Sequence, residues 1–351
     1  MTFVAHAKWF VEPDGTYPAD QGFLAEPRTL GLVVSAAGMT VLWVLATRRW
    51  PAAPLALGHL VDRVPRLLAT TLGVSLAALA AERKLLSPGV ALGGSPPEAA
   101  LATFELLVAA WLIVGAGLRG AAFALAGLIA VAALAIGPVP VLESGVVVGI
   151  ALYLALAREA GARGHREGAR ALRVTLGASL VVVAFTEKLT GPAVTQAVIH
   201  EHPSLNVLAA AGLPFGDLRF VAFAGAAEVF LGLVIMSGAG AQMIALAALF
   251  PFAATVAVFG VPELVGHLPI YGALCALAIT GSTAATGAQP PPYRAADGPA
   301  TDLTHRDAKL PRSKPTQIAL TAALDGAAEA LDRPCLARAT ATKPDETAAG
   351  R

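Results

Sequence analysis

The chain has 351 residues, 56% of them hydrophobic and only 14% charged, with a mean hydropathy of +0.67. A soluble domain is about one quarter charged because its surface faces water, so a water-soluble globular fold is excluded and lipid is the solvent for most of this chain. A formal net charge of +1 gives no bulk attraction to nucleic acid, and two cysteines, Cys275 in an apolar run and Cys335 in a polar one, make neither a disulfide framework nor a thiol redox centre.

Residues 1–28 are mixed and polar, and His6, Lys8, Trp9 and Phe10 precede the first apolar run. That cluster reads as an interfacial anchor of Trp and Lys, or as a lid over the outer mouth of the protein. It does not read as a cleaved signal peptide, because the basic pair Arg48–Arg49 follows the first apolar run instead of preceding it. Nine spans follow, at 29–46, 66–86, 98–116, 120–137, 142–158, 171–189, 219–237, 240–259 and 267–284. Each approaches the ~20 residues that a ~30 Å hydrocarbon core requires. The runs are continuous and rich in Ala and Leu, so they predict helices and not barrel strands. The expected fold is an all-α polytopic integral membrane protein.

Basic residues set the expected orientation. They gather after spans one, three and five, at Arg48, Arg49, Arg63 and Arg66, at Arg119, and at Arg158, Arg163, Arg166 and Arg170. Those loops are expected in the cytoplasm, with the N-terminus outside and the C-terminus inside. The expected location is a cell membrane, the bacterial cytoplasmic membrane. Residues 285–351 open with QPPPYR and mix charges of both signs, which predicts a disordered cytoplasmic tail, weakly helical near 315–331.

The chain contains an internal repeat. RLLATTLGVSLAALAAERKLLSP (66–88) and RALRVTLGASLVVVAFTEKLTGP (170–192) share 11 of 23 positions at an offset of 104, including Arg66/Arg170, Gly73/Gly177, Lys84/Lys188 and Pro88/Pro192. FELLVAAWLIVGAG then matches AEVFLGLVIMSGAG at an offset of 123, which aligns Glu105 with Glu228 and Gly115 with Gly238. The second copy therefore has a longer loop after its first helix. The expected organisation is an extra helix at 29–50, then four-helix units at 66–158 and 170–284. Four spans return the chain to its starting side, so the repeats are parallel.

A unit with R-x-x-x-x-x-L-G and K-L-x-x-P in its first helix and a Glu in its second resembles the DoxX/DoxD family of small membrane proteins. The likeness is best over 170–284, weaker over 66–158, and excludes the first helix and the tail. It implies membrane redox chemistry, with links to quinone reduction and to oxidative-stress defence. A chain with two copies departs from a single-unit member, and its assembly, homo-oligomer or not, would differ.

Two carboxylates lie well inside predicted spans, Glu105 and Glu228, and Lys84 and Lys188 end the preceding helix in each copy. Antiparallel neighbours bring Lys84 to the level of Glu105 and Lys188 to that of Glu228. Such pairs either fix helix register, or relay protons or anchor a ligand, or leave the Glu protonated on a backbone group. Glu187 is expected to point away from its neighbour Lys188. Arg83 holds that slot in the first copy, so the second copy is the favoured site. His6, His200, His202, Glu263 and His267 gather on the outer side; they read as loop residues in water or as scattered metal ligands, and no metal site is predicted. GHLPIYG (266–272) is expected to cap and start the last helix, with Pro269 in its first turn. Gly145-x-x-x-Gly149 and Gly115, Gly117 and Gly120 are expected at close helix contacts.

Three functions follow as expectations. The first is a DoxX-like protein that binds a quinone or a redox partner in the outer half of the bilayer. The chain has no cysteine pair, haem-type histidine pair or nucleotide motif, so any electrons come from a partner or the substrate. The second is a small-solute transporter, against which no span reads as broken at mid-membrane. The third is a non-catalytic scaffold or assembly subunit whose tail recruits a partner.

Overall fold

The computed structural model describes residues 19–50, 55–157 and 161–285. His6, Lys8, Trp9, Phe10, Cys335 and the predicted tail lie outside them. The described chain is helical from end to end. A short helix, α1 (Gln21–Ala25), precedes α2 (Pro27–Arg49). The first four-helix unit comprises α3 (Val64–Ala81), α4 (Pro96–Val114), α5 (Leu118–Ile136), a six-residue α6 (Pro138–Glu143) and α7 (Gly145–Leu156). The second begins with α8 (Ala162–Val183), which passes into a π-helical turn at Ala184–Leu189. After α9 (Pro192–Glu201) and α10 (Val207–Ala210) come α11 (Asp217–Ser237), α12 (Ala241–Phe259) and α13 (Val261–Ala285).

Among the described residues, eight helices are long and apolar enough to cross a membrane. The protein is an all-α polytopic membrane protein. The fifth predicted span, 142–158, is the exception. Pro138 and Pro140 start a separate short helix, and Gly145–Leu156 has only 12 residues. The last predicted span begins too late. Gly260, at a φ of 72°, turns the chain, Pro262 takes the second position of α13, and Pro269 lies inside that helix instead of at its start. Pro251 lies midway along α12, which continues through it with one backbone hydrogen bond fewer.

Prolines and glycines punctuate the chain where the helices need it. Prolines open α2, α3, α4, α6 and α9. Ser95 and Glu98 form a capping box at the start of α4. Gly115 and Gly238 end α4 and α11 in left-handed conformation, at φ 74° and 72°, and Gly117 and Gly240 follow at 61° and 64°. These two pairs are turn formers; of the three glycines from 115 to 120, Gly115 lies against the Arg66 guanidinium, Gly120 against the Trp111 ring, and Gly117 against nothing. The Arg66 guanidinium donates to the Val114 carbonyl at 2.7 Å beside Gly115. Beside Gly238 the guanidinium belongs to Arg173, one turn beyond the sequence equivalent Arg170.

Residues related by the two offsets have the same surroundings. A Cβ at Gly73 would meet the Ala109 carbonyl oxygen, and one at Gly177 would meet the Gly232 carbonyl oxygen. In each copy the first two helices thus cross at a glycine that lets backbone approach backbone. Between copies the contacts are reciprocal. Gly149 of α7 lies against Thr175 of α8, and Gly272 of α13 lies against Thr71 of α3. Both threonines bond back to the fourth preceding carbonyl, Thr71 to Leu67 and Thr175 to Ala171, at 3.0 Å each. The fourth helix of each copy closes on the first helix of the other, which is the pattern of a two-fold interface. Leu68, Leu72, Leu172 and Leu176 are fully buried along it.

The helix outside the repeat serves the second copy. Ala36 of α2 packs with Ala226 and Val229 of α11 and with Ala184 and Leu189 of the π turn. At one end of the bundle the Asp20 N–H donates to the Thr190 carbonyl at 2.6 Å, and at the opposite end the Trp43 indole donates to the Ala239 carbonyl at 2.9 Å. The longer loop of the second copy is an ordered cap. Its buried Asn206 accepts from the Ala209 N–H and donates to the Phe215 carbonyl and to Asp217.

The crossing glycines give a direct test. Gly177→Leu drives a side chain into the Gly232 carbonyl, and overpacking of this kind costs about 1–3 kcal/mol. Gly127, which has open space around it, is the control. Thermal unfolding in detergent should show a lower midpoint for Gly177→Leu and an unchanged one for Gly127→Leu.

Candidate functional site

In the second copy the chain widens before it turns. The π turn at Ala184–Leu189 closes with the Thr190 N–H and hydroxyl both donating to the Phe185 carbonyl at 2.8 Å. Single π turns inside helices are frequent at functional sites. This one carries Glu187 and Lys188. The Thr195 hydroxyl of α9 donates to the Glu187 carbonyl at 2.9 Å and steadies it. Across from it, Gly225 of α11 has no side chain, so Lys188 and Leu189 press close: a Cβ there would stand 3.1 Å from the Lys188 Cβ. One turn further along the same face is Glu228.

The Lys188 Nζ lies 2.8 Å from Glu228 Oε1 and 3.0 Å from Oε2. The lysine side chain is 14% exposed and the glutamate 31%. Glu187, next to Lys188, is the carboxylate of the π turn itself. Glu187 is 2% exposed. It lies in the interior of the protein on the π turn. Glu263 and His267 are also inside the protein, 2% and 4% exposed, with His267 Nδ1 3.0 Å from Glu263 Oε1. Their expected place in a wet loop is overturned by the earlier start of α13, which puts residues four apart on one buried helix face. The other histidines do not join them. His200 is exposed, and His202 stacks edge-on against Phe259 at 5.1 Å. Among the described residues no group of histidines, cysteines and carboxylates could hold a metal ion. Cys275 is a free thiol.

The first copy solves the same problem differently, and the expected Lys84–Glu105 pair is not formed. Its first helix ends at Ala81, and the chain reverses through left-handed Arg83 and Leu86, at φ 55° and 56°. Such a backbone is costly for residues with a side chain. The turn is held by the Leu85 N–H to the Val90 carbonyl at 2.9 Å and the Leu92 N–H to the Arg83 carbonyl at 2.7 Å. Leu85 and Leu86 are buried where the second copy has its lysine. Lys84 turns outward to Glu82 at 2.6 Å. Glu105 is fully buried, accepts the Leu86 N–H at 2.8 Å on Oε1, and has no hydrogen-bond partner on Oε2.

The structure thus pairs Lys188 with Glu228, with Glu187 beside the lysine on the π turn, and separately pairs Glu263 with His267 on α13. Tyr271, four residues beyond His267, was not singled out in the sequence; the repeated spacing of four was its signal. The chain matches no family model, no curated protein and no solved structure.

Two substitution series separate the copies. Lys188→Met leaves the Glu228 carboxylate without its cation, and breaking a buried pair costs about 3–5 kcal/mol; adding Glu228→Gln should restore part of the loss. Lys84→Met removes an exposed pair and should cost less than about 1 kcal/mol. Glu105→Gln keeps an acceptor for the Leu86 N–H and should be near neutral, whereas Glu105→Leu strands that donor at about 1–3 kcal/mol. Denaturant titration in micelles reads all five variants.

Proposed function

We propose that this chain is a DoxX-like membrane protein that serves membrane redox chemistry, binding a quinone or a redox partner in the outer half of the bilayer with its N-terminus outside. One observation carries the reading: an ammonium paired with a carboxylate, on a π turn, within an apolar bundle. A quinone headgroup offers carbonyl oxygens that accept hydrogen bonds and gain protons on reduction. Lys188 supplies a donor to such an oxygen, and Glu228 supplies a group that exchanges protons beside it. The electrons come from a partner protein or from the substrate.

A small-solute transporter is the second reading, favoured by the parallel repeats and by carboxylates within the spans. Uptake into sealed vesicles would support it.

Quinone binding read by tryptophan fluorescence tests the first. Trp43 and Trp111 bond to Ala239 and Ala116 at the end of the bundle away from Lys188, so a reporter is needed, and Phe185→Trp places one in the π turn. A short-chain quinone should quench it saturably, and Glu228→Gln should weaken binding about tenfold, or 1.4 kcal/mol. No quenching, or equal quenching in both proteins, removes the redox reading.

A further inference from the structure

The end of the bundle away from Lys188 gathers arginines. There α8 carries Arg166, Arg170 and Arg173, spaced four and three apart, so they line one helix face over about 10 Å at ~1.5 Å per residue. Arg166 and Arg170 are exposed, and Arg173 is half-buried. Val174, one turn beyond Arg170, is exposed and apolar, so the stripe ends where the lipid-facing surface begins. The Arg173 guanidinium lies against the turn between α11 and α12: a Cβ at Gly238 would collide with it. On the other side of that turn stand Trp43 and Thr47 of α2, each 3.4 Å from where a Cβ at Gly240 would be, and the Trp43 indole donates to the Ala239 carbonyl at 2.9 Å. Arg48 and Arg49, both exposed, follow Thr47 and end α2.

None of the three α8 arginines makes a hydrogen bond or an ion pair with a described residue, and the Arg173 Nε is buried without an acceptor. Glu167, beside Arg166 in sequence, is taken by Arg163 at 2.8 Å. Like charges three or four apart repel on a helix, and a guanidinium drawn into the protein without an acceptor costs free energy. The first copy has no such stripe. At the offset of 104 its positions are Asp62, Arg66 and Ala69, and Arg66 donates to the Val114 carbonyl at 2.7 Å. The second copy thus keeps an uncompensated stripe that the shared fold does not require.

We propose that Arg166, Arg170 and Arg173, beside the α11–α12 turn, bind the phosphate headgroup of an anionic phospholipid. The planar guanidinium fork matches phosphate oxygens two at a time. A lipid phosphate stands at the depth where Arg170 gives way to Val174 and where the Trp43 indole sits, the level that tryptophan favours at a membrane surface. Basic surfaces between spanning helices take such headgroups, and Arg48 and Arg49 add positive charge on the α2 side of the turn. The acyl chains then run along the apolar surface that starts at Val174. This site is independent of the Lys188–Glu228 centre, which lies at the opposite end of the bundle.

Native mass spectrometry of the full chain, released from micelles with phosphatidylglycerol or phosphatidylcholine added, tests the site. The wild type should hold its first phosphatidylglycerol about tenfold more tightly than phosphatidylcholine. Arg170→Gln and Arg173→Gln should each weaken phosphatidylglycerol about fivefold, or 1 kcal/mol, and leave phosphatidylcholine unchanged. Arg170 is exposed, so its variant guards against a folding defect. Arg63, exposed just before α3 at the same end, is the control, and Arg63→Gln should bind as the wild type does. Equal retention of the two lipids overturns the proposal. So does an equal loss in Arg63→Gln, which would reduce the stripe to part of a diffuse basic surface. Inorganic phosphate in millimolar excess is the last arm. If it displaces phosphatidylglycerol, the stripe is a site for a soluble anion and the lipid assignment falls; if phosphatidylglycerol stays bound, the assignment stands.

Discussion

A carboxylate carried into the hydrocarbon of a membrane costs about 2.5–3.5 kcal/mol on insertion scales unless the protein compensates it. This chain carries two at equivalent places, Glu105 and Glu228, and the local structure of each copy follows from how the charge is met. At Glu228 the answer is a lysine. To deliver it, α8 widens into a π turn, Gly225 clears the space, and α1 and α2 brace the turn from outside through Asp20 and Ala36. At Glu105 the answer is a backbone N–H. To deliver that, the chain reverses through two left-handed residues and buries Leu85 and Leu86. The same aligned sequence thus ends in a charged centre in one copy and an apolar plug in the other.

The frame that holds both answers is less tolerant than either. Gly73 and Gly177 set the distance between the first two helices of each copy, and Gly149 and Gly272 set the distance between copies. Association inside lipid has no hydrophobic drive between helices, so close packing at small residues is what holds the bundle. That is why the frame is symmetric where the sites are not: a side chain at any of these four positions would collide, whereas residues 82–93 and 184–191 have room to differ.

Much of this was legible in the sequence. Long Ala- and Leu-rich runs announced the helices, and Gly, Lys and Pro matches at fixed offsets announced the repeat. Lys188 and Glu228 could be placed at one level because they lie on the first two spanning helices of one repeat, which run in opposite directions. Other features depended on backbone choices that propensity does not decide. Nothing in ERKLLSP against TEKLTGP says that the first reverses in a tight turn and the second continues as a π helix; Arg83 stands at the place of Glu187, Leu86 at that of Thr190 and Ser87 at that of Gly191. The placement of Glu263 and His267 failed for a simpler reason. Pro269 was taken as a helix start, although Pro262 already occupied that role, and a shift of six residues moved two polar groups from water into the interior.

The reciprocal contacts of Gly149 with Thr175 and of Gly272 with Thr71 have a consequence for ancestry. A lone four-helix unit bearing both a threonine on its first helix and a glycine on its fourth would present two halves of one self-complementary face, and two such units would close on each other without further invention. The present chain reads as that homodimer made covalent by fusion. Once both halves travel on one polypeptide, mutation no longer strikes them together. One half was then at liberty to turn its lysine outward and fill the space with leucines, while the other kept its lysine on a carboxylate.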